Sequence, residues 1–314
     1  MKAKPVIRGL ISYIPGLLKI LKKARGKNIC GGTDSARYCY SIWLRHLVKL
    51  NENYGKININ TVAEIGPGDS LGMGIMALLT GSEKYYVFEV QKCINTEKNL
   101  QIFDELVKLF INKEKIPGNN EFPMIEPKLN KYDFPEYIFK ENFELLTDNS
   151  RINRIKEAII NEKSGEIEMK YLIPWDTEFY KVTGKIDLIF TQAVLEHLNN
   201  LKEAYEIMYS VLKQGGFISH EIDYSSHETH EKWNGHLNFG KIIWKIIMHG
   251  RPYDINRIPH SLHIKLIGKA GFRNILEIKT EDFNSKLKIK NKEIAELFTE
   301  SDLFIKNAYI QAKK

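Results

Sequence analysis

A glycine-rich turn flanked by acids is the part of this sequence whose residue types and spacing best suit chemistry. It reads EIGPGDSLG over residues 64–72 and follows directly on the short apolar run TVAEIG. A strand that enters a glycine turn and continues as a helix leaves free backbone amides at the start of the helix, where a ligand can bind. The turn therefore predicts a small-molecule site at the carboxyl end of a strand.

Two ligand chemistries fit this turn poorly. A dinucleotide site needs G-x-G-x-x-G, but Leu71 occupies the third glycine position and Asp69 would bring a carboxylate next to the pyrophosphate. The string GDSLG at 68–72 satisfies the G-x-S-x-G of serine hydrolases, yet the late D-x-x-H that supplies their base in GDSL-type enzymes has no match in the C-terminal half. Both interpretations are disfavoured.

A nucleoside ligand without phosphate fits better. Glu89 ends the next apolar run, YYVFEV, and stands 21 residues after Gly68. A carboxylate at that place can accept hydrogen bonds from both hydroxyls of a ribose. S-adenosylmethionine (SAM) has such a ribose and no phosphate, so the turn and Glu89 together favour it.

From about residue 60 to 222 the chain resembles the class I SAM-dependent methyltransferases. The likeness includes the acid and glycines of the turn, Glu89, DLIF at 187–190, AVLEHL at 193–198 and LKQGG at 212–216, in the order and spacing of the family. The resemblance implies a Rossmann-like class I methyltransferase fold with a seven-stranded, mostly parallel sheet. It also implies SAM as the cofactor.

The resemblance further assigns roles to individual residues. It implies that Gly66 and Gly68 let the backbone approach the methionine portion of SAM, that Glu64 orients its amino group, and that Glu89 holds the ribose. The remaining implied cofactor residues are Asp69 in the turn, Gln192 and Ala193 after the fourth strand, and Trp175 or Asp176 after the third. For Trp175, simple packing in the core is an equally open interpretation.

Histidines are concentrated in one stretch that follows the fifth predicted strand. The chain has nine, and seven of them lie between residues 220 and 263 together with aromatic, amide and guanidinium groups. A doubly wound fold binds its substrate at this end of the strands, and such groups suit a hydroxyl-rich acceptor. The predicted acceptor-binding residues are Asp223, Trp233, Asn234, Arg251, Tyr253, Arg257 and His260.

A looser likeness narrows the acceptor. GGTDSARY at 31–38 and the histidine-rich stretch look similar to little-characterised methyltransferases encoded with bacterial surface-polysaccharide genes. The implied function is O-methylation of a sugar, nucleotide sugar or glycan intermediate. Two rivals stay open: a small-molecule or lipid-headgroup methyltransferase, and a catalytically silent SAM-binding scaffold.

Methyl transfer to a hydroxyl is helped by a base of near-neutral pKa, which favours histidine. His220, His197 and His236 are the candidates, although His197 fits a structural capping role as well. Some relatives bind a divalent ion through the Glu-His pair after strand four and a later histidine. By that likeness Glu196, His197, His220 and Asp223 form an alternative metal-ligand set, which we do not favour over a metal-free site.

Strands and helices alternate along the chain in the way that positions these residues. Short apolar runs at 61–66, 85–90, 168–173, 185–190 and 216–222 are separated by amphipathic stretches, which predicts a parallel sheet covered on both faces. We predict a helical extension over residues 1–59, with Thr33 or Asp34 capping a helix, and a methyltransferase domain over 60–314. Insertions are expected at about 115–148 and 223–258.

The net positive charge of the chain comes from its first 28 residues. They hold eight Lys or Arg and no acid, whereas the rest of the 314-residue chain has 38 basic and 39 acidic groups. The body therefore lacks the field that would attract nucleic acid. The basic segment also has a helical apolar stripe, which either packs on the protein's own body or a dimer partner, or contacts an anionic membrane from the cytoplasmic side. The three cysteines, Cys30, Cys39 and Cys93, are unpaired in spacing and indicate a reduced, cytoplasmic protein.

Overall fold

One mixed sheet organises the part of the chain that the computed structural model describes, namely residues 3–13, 32–90, 95–251, 253–284 and 287–314. Within these ranges the strands are β1 (Thr61–Ile65), β2 (Lys84–Phe88), β3 (Lys163–Ser164), β4 (Ile167–Leu172), β5 (Ile186–Gln192), β6 (Leu212–Asp223), β7 (Arg273–Glu281) and β8 (Ile305–Lys313). Their spatial order is β3-β4-β2-β1-β5-β6-β8-β7. The neighbours from β4 to β6 pair in parallel, whereas β3 and β8 run against their neighbours.

The predicted Rossmann-like, mostly parallel α/β fold is confirmed. The sheet has eight strands in the described ranges instead of the expected seven, because the two-residue β3 forms a short antiparallel pair with β4. The strand order reverses at β1, which has β2 on one side and β5 on the other. In an open α/β sheet a ligand binds where the order reverses, at the carboxyl ends of the strands.

Helices cover both faces of this sheet. In the described ranges they are α1 (Ala3–Ser12), α2 (Ala36–Tyr54), α3 (Gly72–Leu79), α4 (Thr96–Ile111), α5 (Glu136–Phe139), α6 (Phe143–Leu146), α7 (Asn149–Asn161), α8 (Trp175–Glu178), α9 (Leu201–Val211), α10 (Lys241–Met248), α11 (His260–Ala270) and α12 (Lys292–Ala295). One core layer packs α2, α3, α4 and α7 on the sheet, and a second packs α8, α9 and α11 on the opposite face. All five residues of β1 are buried, as expected for a strand covered on both sides.

Helix α2 lies across the first layer and begins one or two residues later than predicted. Its N-cap is Ser35, whose side chain accepts a hydrogen bond from the backbone amide of Tyr38 at 3.3 Å. The predicted caps, Thr33 and Asp34, are therefore wrong. The Thr33 hydroxyl instead bonds to the glycine turn, which leaves Ser35 as the next side chain able to satisfy a free amide.

Helix α1 packs on the outside of α10, within the second predicted insertion. Val6 contacts the small apolar cluster around Trp244, and Ser12 and Tyr13 contact His249. A Cβ atom at Gly9 would lie 2.0 Å from the carbonyl oxygen of Ile246, so only glycine permits this close approach. Part of the basic N-terminal segment thus packs on the protein, while residues 14–28 lie outside the described ranges.

Two further observations concern the cysteines and the length of the helices. Cys39 is a free, buried thiol, and the other two cysteines fall outside the described residues. Among the helices described, none combines the length and the apolar character that crossing a bilayer would need.

Candidate active site

The glycine turn lies at the carboxyl end of β1, where the strand order reverses. Gly66 and Gly68 have φ angles of +68° and +79°, a left-handed conformation that glycine adopts without penalty. The amide of Gly66 donates to the carbonyl of Phe88 on β2. The Thr33 hydroxyl donates to the Pro67 carbonyl at 2.8 Å and accepts from the Ser70 amide at 2.9 Å. The turn is therefore held from β2 and from the segment before α2.

Thr33 is a site residue whose role sequence reasoning missed. The sequence suggested Thr33 only as a helix cap and as part of the GGTDSARY string, and nothing in the sequence pairs it with a turn 34 residues away. The same contacts bear on the hydrolase interpretation. Ser70 is buried, and its hydroxyl donates to the Thr33 carbonyl and accepts from the Gly72 amide. It stabilises the turn and is not presented as an exposed nucleophile.

Two acids flank the turn. Glu64 on β1 is buried, and its Oε2 accepts a hydrogen bond from the Tyr85 hydroxyl at 2.5 Å, while Oε1 has no hydrogen-bond partner. Burial raises the pKa of Glu64 to about 8, against the lowering effect of the Tyr85 hydrogen bond. Glu89 follows β2 immediately, and its Oε1 accepts from the Val90 amide at 2.7 Å. The two carboxylates stand at the ends of adjacent strands.

The loop after β5 lies opposite the glycine turn. The turn, Glu64, Glu89 and this loop are together called the cradle. Ala193 adopts a left-handed φ of +52°, which is uncommon for a residue with a side chain, and its amide donates to the Glu221 carbonyl. A Cβ at Gly66 would lie 3.0 Å from both γ-carbons of Val194. Gln192 Oε1 lies 3.2 Å from Nε2 of His46, a buried α2 histidine that sequence reasoning did not assign to the site.

The structure places the remaining predicted cofactor residues as follows. Trp175 is buried and stacks on Phe88 with ring centroids 5.9 Å apart. It therefore packs in the core, which is one of the two interpretations given for it above. Its amide donates to the Glu89 carbonyl. Asp176 is exposed in the first turn of α8, and Asp69 is half-buried within the glycine turn.

A cavity beside the carboxyl end of β6 collects most of the predicted acceptor residues. Its wall includes four of the seven, Asp223, Trp233, Arg257 and His260, together with the candidate base His236. Arg257 also lies over the Trp244 ring, and the His260 Nδ1 is 3.2 Å from the Tyr224 hydroxyl.

The other three predicted acceptor residues do not line this cavity. Asn234 is buried and donates to the Leu303 carbonyl at 3.3 Å. Arg251 donates to the His227 carbonyl, and Tyr253 packs against the His197 ring at 5.1 Å. His197 and His227 themselves are not among the residues that line the cavity.

His220 differs from the other candidate bases. It is fully buried in the core, its Nδ1 lies 3.0 Å from the Thr191 hydroxyl, and its ring faces Tyr205. Burial lowers its pKa to about 3. Side chains alternate along β6, so His220 points to the α9 layer while Glu221 points to the opposite face. The prediction that His220 faces the acceptor is therefore wrong.

His236 does line the cavity. Its ring is almost fully buried and its Nδ1 has no hydrogen-bond partner. Burial, with the nearby positive charge of Arg257, lowers the pKa of His236 to about 3, so the ring is neutral at pH 7 and can accept a hydrogen bond, although it is a weaker base than an exposed histidine.

A group of carboxylates and imidazoles connects the cradle to the cavity. Glu196, His197 and His227 offer ligand atoms that all lie within 4.8 Å of one another. Asp223 Oδ2 is 3.4 Å from His227 Nε2. Burial, with the nearby carboxylates of Glu221 and Asp223, holds the pKa of Glu196 well above its usual range.

This group corrects the metal-ligand set expected from the sequence. His220 lies in the core, away from Glu196 and His197, and the histidine that lies beside those two residues is His227. The sequence shows that Asp223 and His227 are four residues apart. It does not show that His227 has a left-handed φ of +43° and that its Nε2 lies 3.9 Å from Glu196.

Comparison with known proteins identifies structures only distantly similar. No protein-family model and no curated protein matches the sequence. A phosphoethanolamine N-methyltransferase 2 of Haemonchus contortus, in complex with phosphomonomethylethanolamine and S-adenosylhomocysteine, superposes with a TM-score of 0.44 and 12% identity over 90% of this chain. This chain spans 58% of that enzyme's length.

SAM-dependent methyltransferases of Archaeoglobus fulgidus and Mesorhizobium loti have TM-scores of 0.40 and 0.41. The first is 15% identical, with 88% of this chain and 94% of that protein covered. The second is 10% identical, with 86% of this chain and 98% of that protein covered. Similarity at this level supports no conclusion about activity.

Proposed function

We propose that this protein is a SAM-dependent methyltransferase that methylates a hydroxyl of a sugar, nucleotide sugar or glycan intermediate in surface-polysaccharide biosynthesis. The observation that carries the proposal is the pairing of a nucleoside-type cradle at the switch point of the sheet with an adjoining cavity of polar and aromatic groups.

The residues of the cradle fit SAM. The buried Oε1 of Glu64 has no hydrogen-bond partner, which suits the amino group of the methionine portion. Gly66 and Gly68 are half-buried and carry no side chain that would cover the turn, and Glu89 follows the neighbouring strand, where it would accept the ribose hydroxyls. SAM, when bound, supplies a methyl group on a positively charged sulfur.

The acceptor cavity supports transfer to oxygen. Asp223 and Arg257 would hold hydroxyl groups of the acceptor, and Trp233 would offer a flat face to a sugar ring once the cavity, about 20 Å³ in this structure, opens. The reaction forms a carbon–oxygen bond, breaks the carbon–sulfur bond and releases the hydroxyl proton. His236 would accept that proton at its unpartnered Nδ1.

Transfer of labelled methyl from SAM into host extract tests this function. The products are separated into water-soluble and membrane glycolipid fractions, and the protein variants His236→Asn and His249→Asn are compared with the natural chain. We expect label in one glycan fraction, a strong loss with His236→Asn and none with His249→Asn, whose ring contacts α1. Label in a lipid headgroup or a small metabolite would support the first rival.

The scaffold alternative has its own signature. A catalytically silent protein would bind SAM but label nothing, and His236→Asn would leave its role in the host unchanged.

We also propose that the protein contacts the anionic cytoplasmic face of a membrane through α1 and α10. Large apolar side chains on these two helices are exposed, with Ile242 at 79% and Ile7, Leu10 and Ile243 between 41% and 53%. Lys241 and Lys245 flank them on α10, and eight basic residues lie in the first 28. An apolar face bordered by lysines fits a bilayer of negatively charged lipids.

A further inference from the structure

We propose that Glu196, His197 and His227 bind a divalent transition-metal ion, with Asp223 as a fourth ligand. The inference deepens the proposed function, on which it rests for its role, because the ion would adjoin both the cofactor cradle and the acceptor cavity.

The distances suit coordination after small side-chain rotations. Glu196 Oε1 lies 4.0 Å from His197 Nε2 and 3.9 Å from His227 Nε2. Asp223 Oδ2 lies 3.4 Å from His227 Nε2. Ligand atoms bonded to one ion at about 2.1 Å are about 3.0–3.4 Å apart, whereas those of Glu196, His197 and His227 all lie within 4.8 Å of one another, so closure needs shifts of up to about 1.5 Å. Asp223 is near His227 but is not within that limit of all three, so it would have to rotate further to join them.

Glu196 is the strongest indication of a missing partner. The residue is 2% exposed, and neither of its carboxylate oxygens makes a hydrogen bond of normal geometry, although the backbone amides of Glu196 and Asp223 face the carboxylate. The buried Nε2 of His227 also has no hydrogen-bond partner. A buried carboxylate and imidazole left unsatisfied are costly, and a bound cation would satisfy both at once.

The surroundings of His197 fix the ring in a ligating form. Its Nδ1 lies 2.6 Å from the Asp254 carbonyl oxygen, to which only a protonated Nδ1 can donate. Nε2 is then the nitrogen with the lone pair, and it faces Glu196. A backbone carbonyl that orients a histidine in this way is the usual second partner of a metal ligand.

The turn that presents Glu196 and His197 is itself fixed. The side-chain amide of Asn256 donates to the carbonyls of Leu195 and Leu198 at 2.8 and 2.9 Å. The same loop reaches Gly66 through Val194, two residues before Glu196. The ion would therefore lie beside the cradle on a turn that is held in place before any ligand binds.

Ligand type indicates the class of ion. Two imidazoles with carboxylates favour borderline ions such as Mn²⁺, Co²⁺ or Zn²⁺ over Ca²⁺, which prefers oxygen ligands only. Glu196 and Asp223 also line the acceptor cavity, so coordination positions that the protein leaves free would open toward the acceptor.

Metal binding can be measured without activity. The purified full chain is dialysed against EDTA and then titrated with CoCl₂, followed by visible absorption, and with MnCl₂ and ZnCl₂ by calorimetry. We expect one ion per chain and a rise in Tm on adding metal. Glu196→Gln and His227→Asn should bind at least about 100-fold more weakly, whereas His249→Asn, a histidine outside the group, should bind as the natural chain does.

Other readouts separate the possible failures. Circular dichroism and SAM calorimetry of each variant show whether it folds and retains the cradle, and Asp223→Asn gives a further test should Glu196→Gln not fold. The inference is overturned if the natural chain takes up none of the three ions, or if Glu196→Gln and His227→Asn bind them as tightly as His249→Asn. Unaltered SAM binding alongside either result would leave the proposed function standing.

Discussion

Glu64 couples the cofactor cradle to pH. Its pKa is raised to about 8, above the 4.5 of an exposed glutamate, so the free protein holds this proton at pH 7. Contact with the positively charged amino group of SAM requires the ionised form, so SAM affinity should fall as the pH drops below 8. The loss approaches tenfold per pH unit.

Calorimetry between pH 6 and 9 checks this expectation. Glu64→Gln should bind SAM more weakly and with a flat profile, whereas Glu105→Gln, on the exposed side of α4, should keep the slope of the natural chain. A slope that survives in Glu64→Gln would assign it to another group.

Gly66 has little room for a side chain, because Val194 lies close to it. Gly66→Ala would strain a φ of +68° and bring its Cβ to 3.0 Å from Val194, while Gly184→Ala strains a φ of +65° in open space. We expect Gly184→Ala to lower the free energy of unfolding by about 1 kcal/mol, from the strain alone. Gly66→Ala should cost about 1 kcal/mol more.

Urea unfolding of the two variants measures the difference. Adding Val194→Ala to Gly66→Ala should recover the excess and part of the SAM affinity. Equal losses for the two glycine variants would mean that the contact with Val194 has no cost.

At the scale of elements, the segment before α2 holds the glycine turn through the hydroxyl and the carbonyl of Thr33. Thr33→Val keeps the shape of the side chain but leaves the Ser70 amide and the Pro67 carbonyl without their partner. We expect a loss of about 1–3 kcal/mol in the free energy of unfolding and weaker SAM binding. Thr147→Val, whose hydroxyl bonds within its own helix, is the matched control and should leave SAM binding unchanged.

The sequence predicted the elements better than the faces of the strands. Short apolar runs and the glycine turn located β1, β2, β4, β5 and β6, because such runs are typical of strands buried on both sides. The same burial removes the alternation that would reveal which face a side chain takes. His220 was therefore assigned to the acceptor although it points into the core, and His227, in an irregular loop, was not assigned at all.

Hydrogen bonds between residues far apart in the chain were the second feature that the sequence did not predict. Thr33, His46 and Asn256 act on residues at least 34 positions away, through one or two hydrogen bonds each. No periodicity or motif records such a pairing. The N-cap of α2 was misassigned for the same reason, since Thr33 was already engaged with the turn.

At the scale of the whole molecule, the exposed apolar face of α1 and α10 should determine membrane contact. Leu10→Ser with Ile242→Ser should weaken binding to vesicles containing phosphatidylserine by about tenfold per residue. Leu145→Ser, equally exposed on α6, should not. Sedimentation with vesicles measures this, and binding by the natural chain should weaken as salt is raised.

A shortened chain, residues 29–314, gives a coarser test, since removing α1 also uncovers part of the Trp244 cluster. Equal sedimentation of the double variant and the natural chain would remove the membrane proposal.

The docking of α1 also sets an order of events during synthesis. Ser12 and its partner His249 are 237 residues apart, so α1 leaves the ribosome long before α10 exists. Until then Gly9 has nothing to pack against, and the apolar side of α1 is free to meet a lipid surface. Arg257, which lines the cavity, lies over Trp244, and Val6 of α1 packs against the cluster that contains Trp244. The outer support of this cavity wall is thus assembled from two segments that are synthesised at well-separated times.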